Sequence, residues 1–137
     1  MKLMQLLSVT IILASTCFYA QETMDAAKKS HGSDATSVKE LDAFHELLHP
    51  LVHEAYPNKD YSTIRKAIPD LVTAAKKLKN ASLPTELNKK EFKKNSSKLL
   101  KELTALNKKK DKLTDEEFGK KFMEMHDTFE SIMELTQ

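Results

Sequence analysis

From position 37 onward, apolar residues return every third or fourth position, the period of a helix that buries one face. The pattern breaks at 57–59, 80–84 and 108–113, which predicts four helices of about 20 residues each. Counted at about 100° per residue, Val38, Leu41, Phe44, Leu48, Leu51 and Val52 share one face of the first helix. Ile64, Ile68, Leu71, Ala75 and Leu78 do so on the second, and Phe92, Leu99, Leu103 and Leu106 on the third. Phe118, Phe122, Met125, Phe129 and Met133 form the stripe of the fourth. Asp60 can cap the second helix, the third is expected to start near Thr85 behind Pro84, and Thr114 with Glu117 makes a capping box for the fourth. Similar helices with short connections predict an all-α fold, an up-down-up-down four-helix bundle over 37–137. At about 1.5 Å per residue each helix is about 30 Å long, enough for a core that needs neither metal nor disulfide.

The first 36 residues lack that period. Positions 1–20 have the layout of a signal peptide: Lys2 is the basic start, 3–14 are mostly apolar, and Tyr19-Ala20 ends on a small residue. The chain is therefore expected to be exported, periplasmic or secreted, with a mature start at Gln21. Residues 21–36 are polar and read as a flexible leader holding His31. A lipoprotein would instead be acylated at Cys17, but Ala14-Ser15-Thr16 lacks the aliphatic residue and the Gly or Ala expected before such a cysteine. Asn80-Ala81-Ser82 and Asn95-Ser96-Ser97 fit the glycosylation sequon, which matters only in a eukaryotic host.

Composition narrows the chemistry. Cys17 is the single cysteine, so the mature chain has no disulfide scaffold, thiol catalysis, iron–sulfur cluster or CxxCH haem attachment. Two glycines leave no phosphate-cradling loop, and no later apolar run approaches the roughly 20 residues of a membrane span. Net charge is only +2, and the lysine runs are interleaved with acids, so a solvated surface rather than a nucleic-acid interface is expected.

The richest stretch is Phe44-His45-Glu46-Leu47-Leu48-His49-Pro50-Leu51-Val52-His53. With His45 at 0°, the apolar arc centres at about −40°, His49 at about +40° and His53 at about +80°, which places His45 towards the core, His49 at its edge and His53 on its flank. On the fourth helix His126 and Glu130 repeat this polar edge beside Phe122. Antiparallel pairing of first and last helices puts His126 level with residues near 45, so His45, His49, His126 and Glu130 can meet. His53, about 12 Å along the axis from His45, fits a supporting role. Imidazole with carboxylate suits Zn or Cu. The competing reading makes His45 a hydrogen-bonded core residue and the others surface groups. Pro50 and Pro69 are expected to kink their helices, because each removes an N–H and crowds the carbonyl four residues back.

His45 to His49 also match HExxH, but Pro50 follows at once, residue 52 is Val and residue 55 is Ala where the longer zinc-peptidase pattern has Gly and His. No other catalytic set is present, and an enzyme is not expected. Met125 and Met133 fall on the core stripe and only Met123 is expected to face outward, which favours packing over a copper-binding thioether cluster. Asn95 and Ser96 are polar where Leu would be expected, and either support a ligand or mark a wet spot.

Export, four helices and Met125-His126-Asp127-Thr128-Phe129 in the last helix resemble the periplasmic four-helix-bundle cytochromes, b-type and c-prime. The stretch from Ser62 through Ala74-Ala75 to Leu83-Pro84 is similar to their connecting layout. That resemblance implies a non-covalent haem b held by His126 and, opposite it, His45 or His49, serving electron transfer. Those b-type bundles use a Met near the start of their first helix, which is missing here. The Phe44 to His53 stretch also resembles small secreted helical proteins with an FHxxxHPxxH motif, a likeness that implies no activity. The leading expectation is an exported bundle that binds a transition metal ion through His45, His49 and His126, with Glu130 or His53 assisting. The alternatives are haem b, and a metal-free protein that presents its surface to a partner.

Overall fold

The computed structural model describes residues 38–137. The expected signal peptide and leader, with Cys17 and His31, lie outside the described residues. Four helices and no strand are found among the described residues: α1 Lys39–Pro50, α2 Tyr61–Lys79, α3 Lys89–Lys109 and α4 Asp115–Met133. A π-turn at Leu51–Ala55 prolongs α1, and a 3-10 turn at Glu134–Thr136 closes α4. The fold is the expected all-α four-helix bundle.

The predicted stripes meet in one core, in which Phe44, Leu48, Ile64, Ile68, Phe92, Leu99, Phe118 and Phe122 are fully buried. On α4 the stripe ends on Ile132, and Met133 is half-buried at the edge. Met123, expected to face outward, is also half-buried against the core. Ser96 is buried, and its hydroxyl donates to the Lys93 carbonyl at 3.3 Å, so its own helix satisfies it.

Helix starts follow their side chains. The Asp60 carboxylate accepts from the Thr63 hydroxyl at 2.6 Å and the Thr63 N–H at 3.0 Å, capping α2. Thr114 and Glu117 form the predicted capping box on α4. The third helix departs from expectation: it begins at Lys89 rather than near Thr85. Asn88 is the cap, accepting from the Glu91 N–H at 3.2 Å, and Leu87 and Phe92, both buried, occupy the two positions of a hydrophobic staple. Polar 85–86 offer no apolar anchor one turn ahead of Phe92.

Asp60 is held below its ordinary 3.8 by the Thr63 hydroxyl and N–H, and Glu117 below its ordinary 4.5 by the Thr114 N–H and hydroxyl. Each folded carboxylate therefore resists protonation. Their contribution is complete above the ordinary values and is lost as pH falls through the lower folded ones. Urea unfolding is expected to show stability dropping between about pH 5 and about pH 3, and dropping less in the Asp60→Asn, Glu117→Gln variant, whose amides do not titrate in that range.

Two contacts set how the helices sit. A Cβ at Gly119 would stand 2.9 Å from Cε1 of Tyr61 and 3.3 Å from Cε2 of Tyr56, so the absent side chain lets both rings lie against α4. Arg65 of α2 reaches the loop between α3 and α4, donating to the carbonyls of Lys110 and Leu113 and to the Asp115 carboxylate. The helices then differ in spacing: α2 packs closely on α3 and α3 on α4, whereas the α1 and α4 backbones come close at few points if any. The α1–α4 seam is closed by large side chains instead, with the Phe44 and Phe129 rings 4.9 Å apart.

Candidate metal centre

Above the Phe44–Phe129 pair the seam opens into a cleft of about 410 Å³. Leu48, Val52, Phe129 and Met133 form its apolar lining. Its polar lining is His45, His49 and His53 from α1 and the π-turn, and His126, Glu130 and Glu134 from α4 and the turn after it. All four histidines expected to carry chemistry, and Glu130, thus border one space.

Two of them sit differently than their angular positions imply. His45, expected to point towards the core, is exposed on the rim, and the core place belongs to Phe44, which has no accessible surface. Neighbouring residues on a helix are about 100° apart, so only one of the two can face the seam, and the apolar ring gains more by burial. This also removes the reading of His45 as a core residue. Its ring stacks on Phe129 at 6.0 Å and 22°.

His53 is the second difference. The expected flank position assumes an unbroken α-helix, but beyond Pro50 the chain widens, and the Tyr56 N–H bonds the Leu51 carbonyl five residues back at 2.9 Å. Each residue of such a turn advances by less than about 90°. His53 is thereby swung back in line with its predecessors, its ring centroid 4.4 Å from that of His49, while His45 and His49 are 5.5 Å apart. Proline's missing N–H at residue 50 is the local cause named by the sequence for an altered backbone here. Pro69, by contrast, lies on the solvent face of α2, which continues on both sides of it.

On α4, His126 is largely buried and its Nε2 lies 3.6 Å from Oε1 of Glu130. Among the described residues, His126, Asp127 and Glu130 form the group of three whose potential ligand atoms all lie within 4.8 Å of one another. The α1 imidazoles border the same cleft without joining that group. Asp127 and Glu134 are additions to the expected residues. Glu134 has a clear signal in the spacing, since His126, Glu130 and Glu134 recur every fourth residue as His45, His49 and His53 do. Glu46 does not line the cleft, so the HExxH match does not bring its glutamate beside the two histidines there.

His45 holds its proton less tightly than a free imidazole. Partial burial against its neighbours is the main cause, followed by the nearby His49 and His53, with Asp42 opposing and His126 adding a smaller push. The neutral ring is the form that ligates a metal. Comparison with protein families, curated proteins and solved structures finds no match to this chain.

Proposed function

We propose that the cleft between α1 and α4 binds a transition metal ion of the Zn or Cu class. The observation that carries this reading is the convergence of four of the chain's five histidines, from two helices, on one cleft that also holds Glu130 and Glu134. Nitrogen and oxygen donors without thiolate suit these ions. His49 and His126 supply a ligand from each wall, Glu130 supports His126, and His45 and His53 complete the imidazole side. Charge supports the same reading: residues 38–56 and 114–137, which bear the cleft, carry eleven acidic residues against three lysines. Such a field concentrates cations at the opening. Storage, buffering or sensing fits a rim-exposed site better than catalysis.

Haem b between His45 and His126 is the alternative that the same experiment separates. The Phe44 and Phe129 rings, 4.9 Å apart, fill the seam beneath the cleft where a flat macrocycle would have to enter.

Native mass spectrometry of the untagged protein, isolated without chelator and then given Zn(II), Cu(II) or haem in slight excess, tests the reading. One added ion, lost in the His49→Ala, His126→Ala variant, is the expected result. A protein that stays apo with both metals would overturn it, and uptake of haem alone would assign the cofactor reading in its place.

A further inference from the structure

The net charge of +2 hides a separation of charge across the bundle. Residues 57–113, which hold α2 and α3, carry sixteen basic and six acidic residues, the reverse of the side that bears the cleft. On α3 the excess is arranged as well as numerous. Lys90, Lys94, Lys101 and Lys108 fall within an arc of about 40° and run over about 27 Å of helix. That arc points directly away from the buried stripe of Phe92, Leu99, Leu103 and Leu106, and all four lysines except the Lys94–Glu91 pair at 3.3 Å lack a salt-bridge partner within 4.0 Å. Beside it runs a shallow groove of about 450 Å³ with four lysines in its lining, Lys79, Lys101, Lys108 and Lys109, the hydroxyls of Ser97 and Thr104, and no carboxylate.

Lys90 and Lys94, four residues apart, repel and weaken the helix that carries them, and Lys101 and Lys108 extend the same positive field at intervals of two turns. A partner that supplies a row of negative charges relieves this and gains the counter-ions released from both sides. The face also says what the partner is not. Single-stranded nucleic acid is held by aromatic stacking, and none of the groove residues is aromatic. Insertion into a bilayer needs large apolar side chains at the surface, and Leu47, the exposed one among the described residues, is on α1. A hydroxyl-bearing linear polymer with regularly spaced anionic groups fits both features of the face, its charges meeting the lysines and its hydroxyls meeting Ser97 and the acceptor oxygen of Thr104, whose own hydroxyl donates to the Leu100 carbonyl at 2.7 Å.

We propose that the α2–α3 face is a docking surface for a linear anionic polysaccharide, of the sulfated or uronic-acid-rich class. The lysines bind sulfate or carboxylate groups along the stripe, and the cleft between α1 and α4 is left facing away from the polymer. Lysine rather than arginine is used throughout the stripe, which fits compact point charges meeting a flexible chain rather than a planar fork meeting one fixed group. This proposal does not depend on the metal reading.

The test is the affinity of the whole protein for heparin as a function of NaCl, beside equal-charge amounts of duplex DNA and phosphatidylglycerol vesicles. The wild type is expected to bind heparin at about 0.15 M salt and to prefer it over the other two. In the Lys90→Gln, Lys94→Gln, Lys101→Gln, Lys108→Gln variant, Kd is expected to rise at least about tenfold, and the slope of log K against log salt to shrink by about three. These side chains are solvent-facing, so circular dichroism should be unchanged. The Lys39→Gln, Lys120→Gln, Lys121→Gln variant removes charge from the opposite side and is expected to bind as the wild type does. No heparin binding at that salt, equal loss in both variants, or tighter binding to DNA or vesicles would each overturn the proposal.

Discussion

Replacing Arg65 by alanine is expected to lower stability by about 3 kcal/mol, with an unchanged urea m-value. The guanidinium is one of the few charged groups tucked into the fold, with 17% of its side chain exposed. It donates to the Lys110 carbonyl, to the Leu113 carbonyl at 3.2 Å and to Asp115 Oδ1 at 2.8 Å. Its Cζ also lies 4.2 Å from the centre of the Phe118 ring. Truncation leaves both loop carbonyls without these partners and uncovers a core phenylalanine. Each charge-assisted bond contributes about 1.5–3 kcal/mol, but water replaces part of the loss at this partly open position. Arg65→Lys is expected to recover less than half, because a single ammonium cannot span three acceptors set around a planar fork.

Arg65 also marks what the sequence reveals and what it hides. It is the chain's single arginine among 21 lysines, a compositional outlier that signals a place where fork geometry matters. Its acceptors, however, are carbonyls of a loop 45 and 48 residues away, and no periodicity reports them. Helix number, core stripes and two of the caps were legible because each depends on neighbours within one or two turns. The third helix start was obscured by Pro84, which is a strong breaker, while the weaker Leu87-Asn88 staple and cap decide the boundary.

The cleft was legible in its parts and not in its shape. Spacing alone put His45, His49, His126 and Glu130 on matching polar edges at matched height but left open whether those edges face each other or both turn away; the shared cleft and the Phe44–Phe129 contact show them facing. The angular count failed at His53 because it assumed uniform α-geometry through Pro50. It failed at His45 because the count takes each residue singly, whereas Phe44 and His45 compete for one place on the seam and the apolar ring takes it. The separation of charge needed only a sum over each helix, which the near-neutral total conceals.

Phe129 joins this seam to the cleft above it, and Phe129→Ala is expected to cost about 3–5 kcal/mol. The ring is 2% exposed, tilts against Phe44 at 4.9 Å, and stacks with the His45 ring at 6.0 Å. Removing it opens a cavity between α1 and α4, whose backbones come close at few points if any and can do little to fill it. For a domain of about 100 residues, a loss of that size lowers Tm by well over about 10 °C in calorimetry. On the metal reading, affinity falls with it, since His45 loses the surface that orients it. His45→Ala separates the two effects: its side chain is exposed, so stability is expected to change by less than about 0.5 kcal/mol, while metal affinity falls. Phe129→Leu, which retains much of the volume but not the stacked ring, is expected to lie between them in stability. A His45→Ala variant that loses stability yet binds metal as the wild type does would reverse the assignment and make the imidazole a packing residue of the seam.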